Sequence, residues 1–161
     1  MTVTSAQRNP EALTMSVTAT FPSPVEQVWG VWADPRKLER WWGPPTYPAT
    51  VLDHELRPGG RVSYLMTGPD GDQHRGWWLV LTVESPHRLE FENGFADSFG
   101  EPDPTMPTSI IRVSLAGSED GGTTMVVETT FPDLEAMEKL LAMRMEEGMR
   151  MAIGQIDGLL D

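Results

Sequence analysis

Acid–base or metal chemistry needs titratable side chains brought together, and the chain has only three histidines, His54, His74 and His87. They fall in a strand, a strand start and a turn, without the i, i+4 pairing that sets two imidazoles on one metal ion. His54 and Glu55 are neighbours on a strand, so they face opposite ways and cannot act together as acid and base. With no cysteine in the chain, thiolate ligands, disulfides and cysteine nucleophiles are excluded. No nucleophile elbow, glycine-rich phosphate loop or dinucleotide fingerprint occurs either. Arg57 and Arg61 flank the turn RPGG, where surface ion pairing is their ordinary role. The sequence therefore predicts no catalytic residue, no metal and no cofactor.

What the chain offers instead is aromatic and sulfur-bearing surface. In RVSYLMT, strand alternation sets Val62, Tyr64 and Met66 on one face. The Tyr64 hydroxyl either looks into a cavity or packs in the core with a backbone partner. Trp77 and Trp78 point to opposite faces, so one covers the inside and the other needs different cover, such as a second subunit. In ERWWGPPTYP, Leu38, Trp41 and Trp42 share one helical face, Gly43 supplies a left-handed stop, and Pro44 and Pro45 forbid continuation. Trp41 is then a core residue, whereas Trp42, with Tyr47 across the rigid loop, forms the rim of an opening. Met145 and Met149 follow Met137 along an apolar stripe, which is either core or a pliable cavity wall. Met143 and Met151 lie off that stripe and suit a homodimer surface. The predicted ligand-binding set is Trp42, Tyr47, Val62, Tyr64, Met66, Trp78, Met145 and Met149, for a small apolar or aromatic molecule.

The elements that position these residues follow from periodicity and punctuation. Residues 1–12 read as a flexible tail, and residues 13–161 as one domain. LTMSVTATF alternates as a first strand. In SPVEQVWGVWADP, Ser23, Pro24 and Glu26 form a capping box that opens a short helix, and Asp34 with Pro35 opens a second, PRKLERWW. Six further strands follow, separated by turns such as RPGG, GPDGD, SPHR and SEDGG. The segment from Phe95 to Pro107 carries three prolines and reads as a loop, with a lid as its possible use. From Pro132 the period changes to 3.6, which predicts one long amphipathic helix to the C-terminus. The expected class is α+β: a curved antiparallel sheet of about seven strands wrapped around a long C-terminal helix, with a ligand space between them.

Charge narrows the partners. Twelve Lys and Arg against 24 Asp and Glu give a net charge of −12, and no basic cluster offsets it, so nucleic acid and anionic membrane surfaces are not expected partners. The first residues lack an apolar signal core and no run is long enough to span a bilayer, which predicts a cytoplasmic protein.

Taken together, VWGVWADPRKLERWWGP, ELRPGGRVSYLMTGPDG and the final apolar helix resemble the START-like (SRPBCC) superfamily, in its branch of activator of heat-shock-protein-90 ATPase homologue-like proteins. The resemblance runs from about residue 14 to the end. It implies a helix-grip fold with an internal hydrophobic cavity, and bacterial relatives that are mostly uncharacterised. In the wider superfamily it implies binding of lipids, sterols or polyketides, or a cyclase or dehydratase reaction. A chaperone-associated interaction module is the third expectation the resemblance carries.

Overall fold

The computed structural model describes residues 3–160, and its eight strands form one antiparallel sheet. In chain order the elements are β1 (Val3–Asn9), β2 (Thr14–Phe21), α1 (Val25–Ala33), α2 (Pro35–Leu38), β3 (Ala49–His54), β4 (Arg61–Thr67) and β5 (Gln73–Glu84). Then come β6 (Arg88–Ala96), β7 (Ser109–Gly117), β8 (Thr123–Thr130), α3 (Leu134–Ala142), α4 (Met145–Ile153) and a 3₁₀ turn, Ile156–Leu159. The sheet order is β1-β2-β8-β7-β6-β5-β4-β3. Alternation along each strand decides which face is inside. Met15, Val17, Ala19 and Phe21 of β2 are buried, as are Ile111, Val113 and Leu115 of β7 and Met125 and Val127 of β8, and the residues between them are turned outward. The curved sheet with its C-terminal helical segment is the helix-grip arrangement.

Three expectations are corrected by these elements. Most of the expected tail, residues 1–12, is instead β1, with residues 1–2 outside the described residues; its pairing with β2 runs from Val3 opposite Ala19 to Asn9 opposite Thr14 and raises the strand number from seven to eight. The Arg8 guanidinium donates to Glu146 Oε1 of α4 at 2.7 Å, so this strand is tied to the helix as well as to the sheet. The long final helix is two helices. Met143 and Arg144 close α3 by donating to carbonyls of the turn before them, Arg144 adopts φ 65 and ψ 36, and α4 begins again. The break serves two separate cores: Ala136, Met137 and Leu140 of α3 are buried, Met137 and Leu140 packing with Met15 and Phe131, while Met149, Ala152 and Ile153 of α4 join the main cluster. Finally, Ser23 does not cap α1. Pro24 is its extended N-cap residue and makes no side-chain cap, and Ser23 is buried with its carbonyl accepting from Thr123 Oγ1.

Asp34 does cap α2, accepting from Arg36 N at 2.9 Å. That helix ends at Leu38, short of the predicted PRKLERWW, but Trp41 N and Trp42 N both donate to Leu38 O, so the two tryptophans still stack one turn above Leu38. Trp41 is wholly buried, with its indole edge-on to Trp32 at 4.7 Å and its N–H donating to Val31 O at 2.9 Å. Burying about 200 Å² of indole is worth about 5 kcal/mol gross, an upper bound. Gly43 is not left-handed, contrary to expectation; it is needed because a Cβ there would collide with Tyr47 O, where the chain folds back on itself.

Candidate functional site

Between the concave face of β4 to β7 and the two C-terminal helices lies a cavity of ≈ 230 Å³, partly open to solvent. The sheet contributes Tyr64, Met66, Asn93, Phe95, Ser109 and Ile111. The helices contribute Leu140, Met145, Gly148, Met149 and Ala152, with Met143 from the break between them, and the proline-bearing loops close the edge with Trp42, Pro44 and Pro107. Gln155, just after α4, donates through Nε2 to Gly43 O at 2.7 Å and to Trp41 O at 3.3 Å. The end of the chain thus fixes the loop that carries Trp42.

The aromatic packing behind the cavity is dense. Trp42 meets Trp78 edge-on at 4.9 Å and Tyr64 edge-on at 6.0 Å, and Trp78 stacks on Phe91 at 3.9 Å. Tyr64 lies opposite Gly76 across β4 and β5, and a Cβ at Gly76 would strike the phenol oxygen, so glycine there makes room for the ring. The phenol donates to Asn93 Oδ1 at 3.2 Å. Burial pushes its pKa up to about 12; the indole N–H groups of Trp42 and Trp78, close to the phenol oxygen, oppose the rise without reaching hydrogen-bond geometry.

Five of the eight predicted residues meet here: Trp42, Tyr64, Met66, Met145 and Met149. Val62 and Trp78 face the same side but are wholly buried behind the wall, as core. Tyr47 is turned away to the β4–β5 hairpin, where its hydroxyl donates to Asp72 Oδ2 at 2.7 Å and its ring faces His74. That hydrogen bond holds the Asp72 carboxyl below its ordinary range. Of the two tryptophans, one of which was expected to need cover beyond the inner face, Trp77 is the outward one and is covered by its own chain: it sits opposite Gly94 and donates through Nε1 to Phe95 O at 3.0 Å. Asn93 and Ser109 were missed, although a signal existed. In RLEFENGF the inward series Leu89, Phe91, Asn93, Phe95 places one amide among apolar residues.

None of the histidines lines the cavity. His54 Nε2 lies 3.1 Å from Trp32 O, His87 Nδ1 lies 3.0 Å from Leu115 O, and His74 sits beside Asp72 at the hairpin. Among the described residues no group of His, Cys, Asp and Glu is placed to hold a metal ion, and no helix is long and apolar enough to cross a membrane.

Residues 22–161 match the family model described as Activator of Hsp90 ATPase homolog 1-like protein. The chain belongs to this family. A solution structure of a protein from Arthrobacter aurescens is 49% identical, with a TM-score of 0.94 over 98% of this chain and 91% of that one. The crystal structure of protein Ms6760 from Mycobacterium smegmatis is 44% identical, with a TM-score of 0.91 over 99% and 97% of the two chains. A Staphylococcus epidermidis protein is 27% identical, with a TM-score of 0.83 over 98% and 93%. No functionally curated protein matches the chain. The activator-homologue family is thus established through sequence and fold together.

Proposed function

We propose that this member of the activator-homologue family binds a small hydrophobic or aromatic molecule in the cavity between its sheet and its C-terminal helices. The observation that carries the reading is the cavity itself: ≈ 230 Å³, walled by Trp42, Phe95, Ile111 and methionines, with a few polar groups at the sheet side. An enclosed apolar space of about 150 Å³ suffices for benzene. One or two fused rings therefore fit, with the methionines adapting to their shape. A cyclase or dehydratase would need a base facing Tyr64, and the residues lining the cavity include no histidine, carboxylate or lysine. An interaction module with a filled core would not leave this space. The cavity is complete within one chain, so a homodimer is not required for binding.

Native mass spectrometry of freshly purified protein should reveal a bound small molecule, or fluorescence titration with an anilinonaphthalene probe should reveal a vacant apolar site. Met145→Trp, which fills the cavity from α4, is expected to weaken the probe about tenfold while leaving the unfolding midpoint close to wild type. Tyr47→Ala, off the cavity, should leave probe affinity unchanged. A probe that binds wild type and Met145→Trp equally is not in this cavity, and the reading then fails.

A further inference from the structure

The polar groups at the sheet side of the cavity are wired in one direction. A phenol oxygen has one proton to donate and two lone pairs to accept with, whereas an indole N–H can only donate. The N–H groups of Trp42 and Trp78 are buried, have no hydrogen-bond partner and lie close to the Tyr64 oxygen. Neither reaches it with hydrogen-bond geometry, and the phenol gives its proton to Asn93 Oδ1. An amide whose oxygen is committed to a donor has only its NH₂ left to offer. Among the described residues no hydrogen bond leaves Asn93 Nδ2, and Asn93 is part of the cavity lining. Ser109, its cross-strand partner, lines the same space and is only 3% exposed. No lining residue carries a formal charge, so a carboxylate or ammonium entering here would lose its hydration with no counter-charge.

We infer that the ligand carries an uncharged hydrogen-bond acceptor, a carbonyl or ether oxygen on an apolar ring body, and that Asn93 reads this oxygen through its amide N–H with the Ser109 hydroxyl beside it. Tyr64, by holding the amide oxygen, fixes which end of the amide faces the ligand. The inference rests on the cavity being a ligand site, as proposed above, and adds what kind of molecule it selects.

The test compares two ring systems of nearly the same size, 1-tetralone, which presents one carbonyl, and tetralin, which presents none. Their dissociation constants are measured by calorimetric titration on wild type, Asn93→Leu, Asn93→Asp and Tyr64→Phe. Differences in hydration between the compounds cancel when the ratio of the two constants is compared across variants. In Asn93→Leu the preference for the ketone should fall about tenfold relative to wild type, the size of effect expected when one buried hydrogen bond is lost, while tetralin still binds. Asn93→Asp keeps the side-chain size but loses the donor, so it should lose the ketone preference and gain affinity for 1-aminotetralin, whose ammonium donates. In Tyr64→Phe the amide is free to turn over, and the ketone preference should fall although Asn93 is unchanged. A ratio unaltered in all three variants, with tetralin still bound, overturns this inference and leaves the ligand site standing. Absence of binding by either compound to wild type overturns both.

Discussion

Tyr64 is the residue at which sequence, packing and chemistry meet. Alternation in RVSYLMT assigned it to the inner face, and the open alternative was whether its hydroxyl met a cavity or a backbone group. It meets Asn93 at the cavity, with its ring over Gly76 and its edge toward Trp42. Burial has a measurable consequence. Burial pushes the Tyr64 phenol of the folded chain up to about 12, above its ordinary value near 10, because an ionised phenolate in this pocket loses hydration. A raised pKa means the native state holds its proton more tightly than the unfolded chain, so this stability is complete below about pH 10 and is lost as pH rises toward 12. Two pKa units correspond to about 3 kcal/mol. Denaturant unfolding between about pH 8 and 11 should therefore give a falling stability for wild type and a flatter curve for Tyr64→Phe. Parallel curves would mean that Tyr64 ionises in the native state as easily as in water. The tryptophan doublet was legible in the same way, Trp41 as core and Trp42 at the cavity lining, because i, i+3 and i+4 positions share a face. Its partner across the loop was not. Tyr47 follows Asp72 and His74, groups remote in sequence that no local pattern connects to it.

At the scale of elements, strand positions were easy to find because Gly, Pro and Asp bound each strand and the period is two throughout. Two of the corrected expectations, the first strand and the helix break, have distinct causes. VTSAQRN contains little that is apolar, and β1 needs little, being an edge strand that pairs only with β2 and rests on α4 through Arg8. The helix break escaped notice because the apolar spacing of three and four residues continues through it, from Leu141 to Met145 to Met149. Only the backbone reveals it, and it does so at an arginine in the left-handed region, a conformation costing a residue with a Cβ about 1 kcal/mol or more. Arg144 is exposed, so its side chain contributes little packing. Arg144→Gly should accordingly stabilise the protein by about 0.5–1 kcal/mol, after the greater freedom of glycine in the unfolded chain is subtracted. Arg144→Val, β-branched and poorly suited to positive φ, should destabilise it. Midpoints from denaturant unfolding decide the matter. A glycine variant less stable than the valine variant would mean that the helix is continuous in solution. The break also matters for the site, since it brings Met143, which stays half exposed as its off-stripe spacing suggested, to the cavity edge.

The whole molecule carries twice as many acidic as basic side chains, 24 against 12, and this excess acts on the fold independently of any one contact. Ion pairs are present. Arg112 lies between Glu90 and Glu128 across the outer face of β6, β7 and β8, and Arg8 reaches Glu146. Exposed pairs of this kind contribute about 0–1 kcal/mol each and weaken with salt. Even with every Lys and Arg paired, 24 − 12 = 12 carboxylates remain without a cation, and their mutual repulsion is relieved when the chain expands. The two effects respond oppositely to ionic strength: screening weakens the pairs and so destabilises, but it also weakens the repulsion and so stabilises. The surplus is long-ranged and the pairs are short-ranged, so the repulsion loses more as the screening length falls from about 10 Å at 0.1 M to about 3 Å at 1 M. Thermal unfolding in sodium chloride across that range should therefore show the midpoint rising by a few degrees. A falling midpoint would show that the cross-strand pairs outweigh the surplus. The cavity has no charged lining, so an uncharged ligand such as 1-tetralone should show almost no salt dependence in its affinity over the same range, separating the site from the surface that surrounds it.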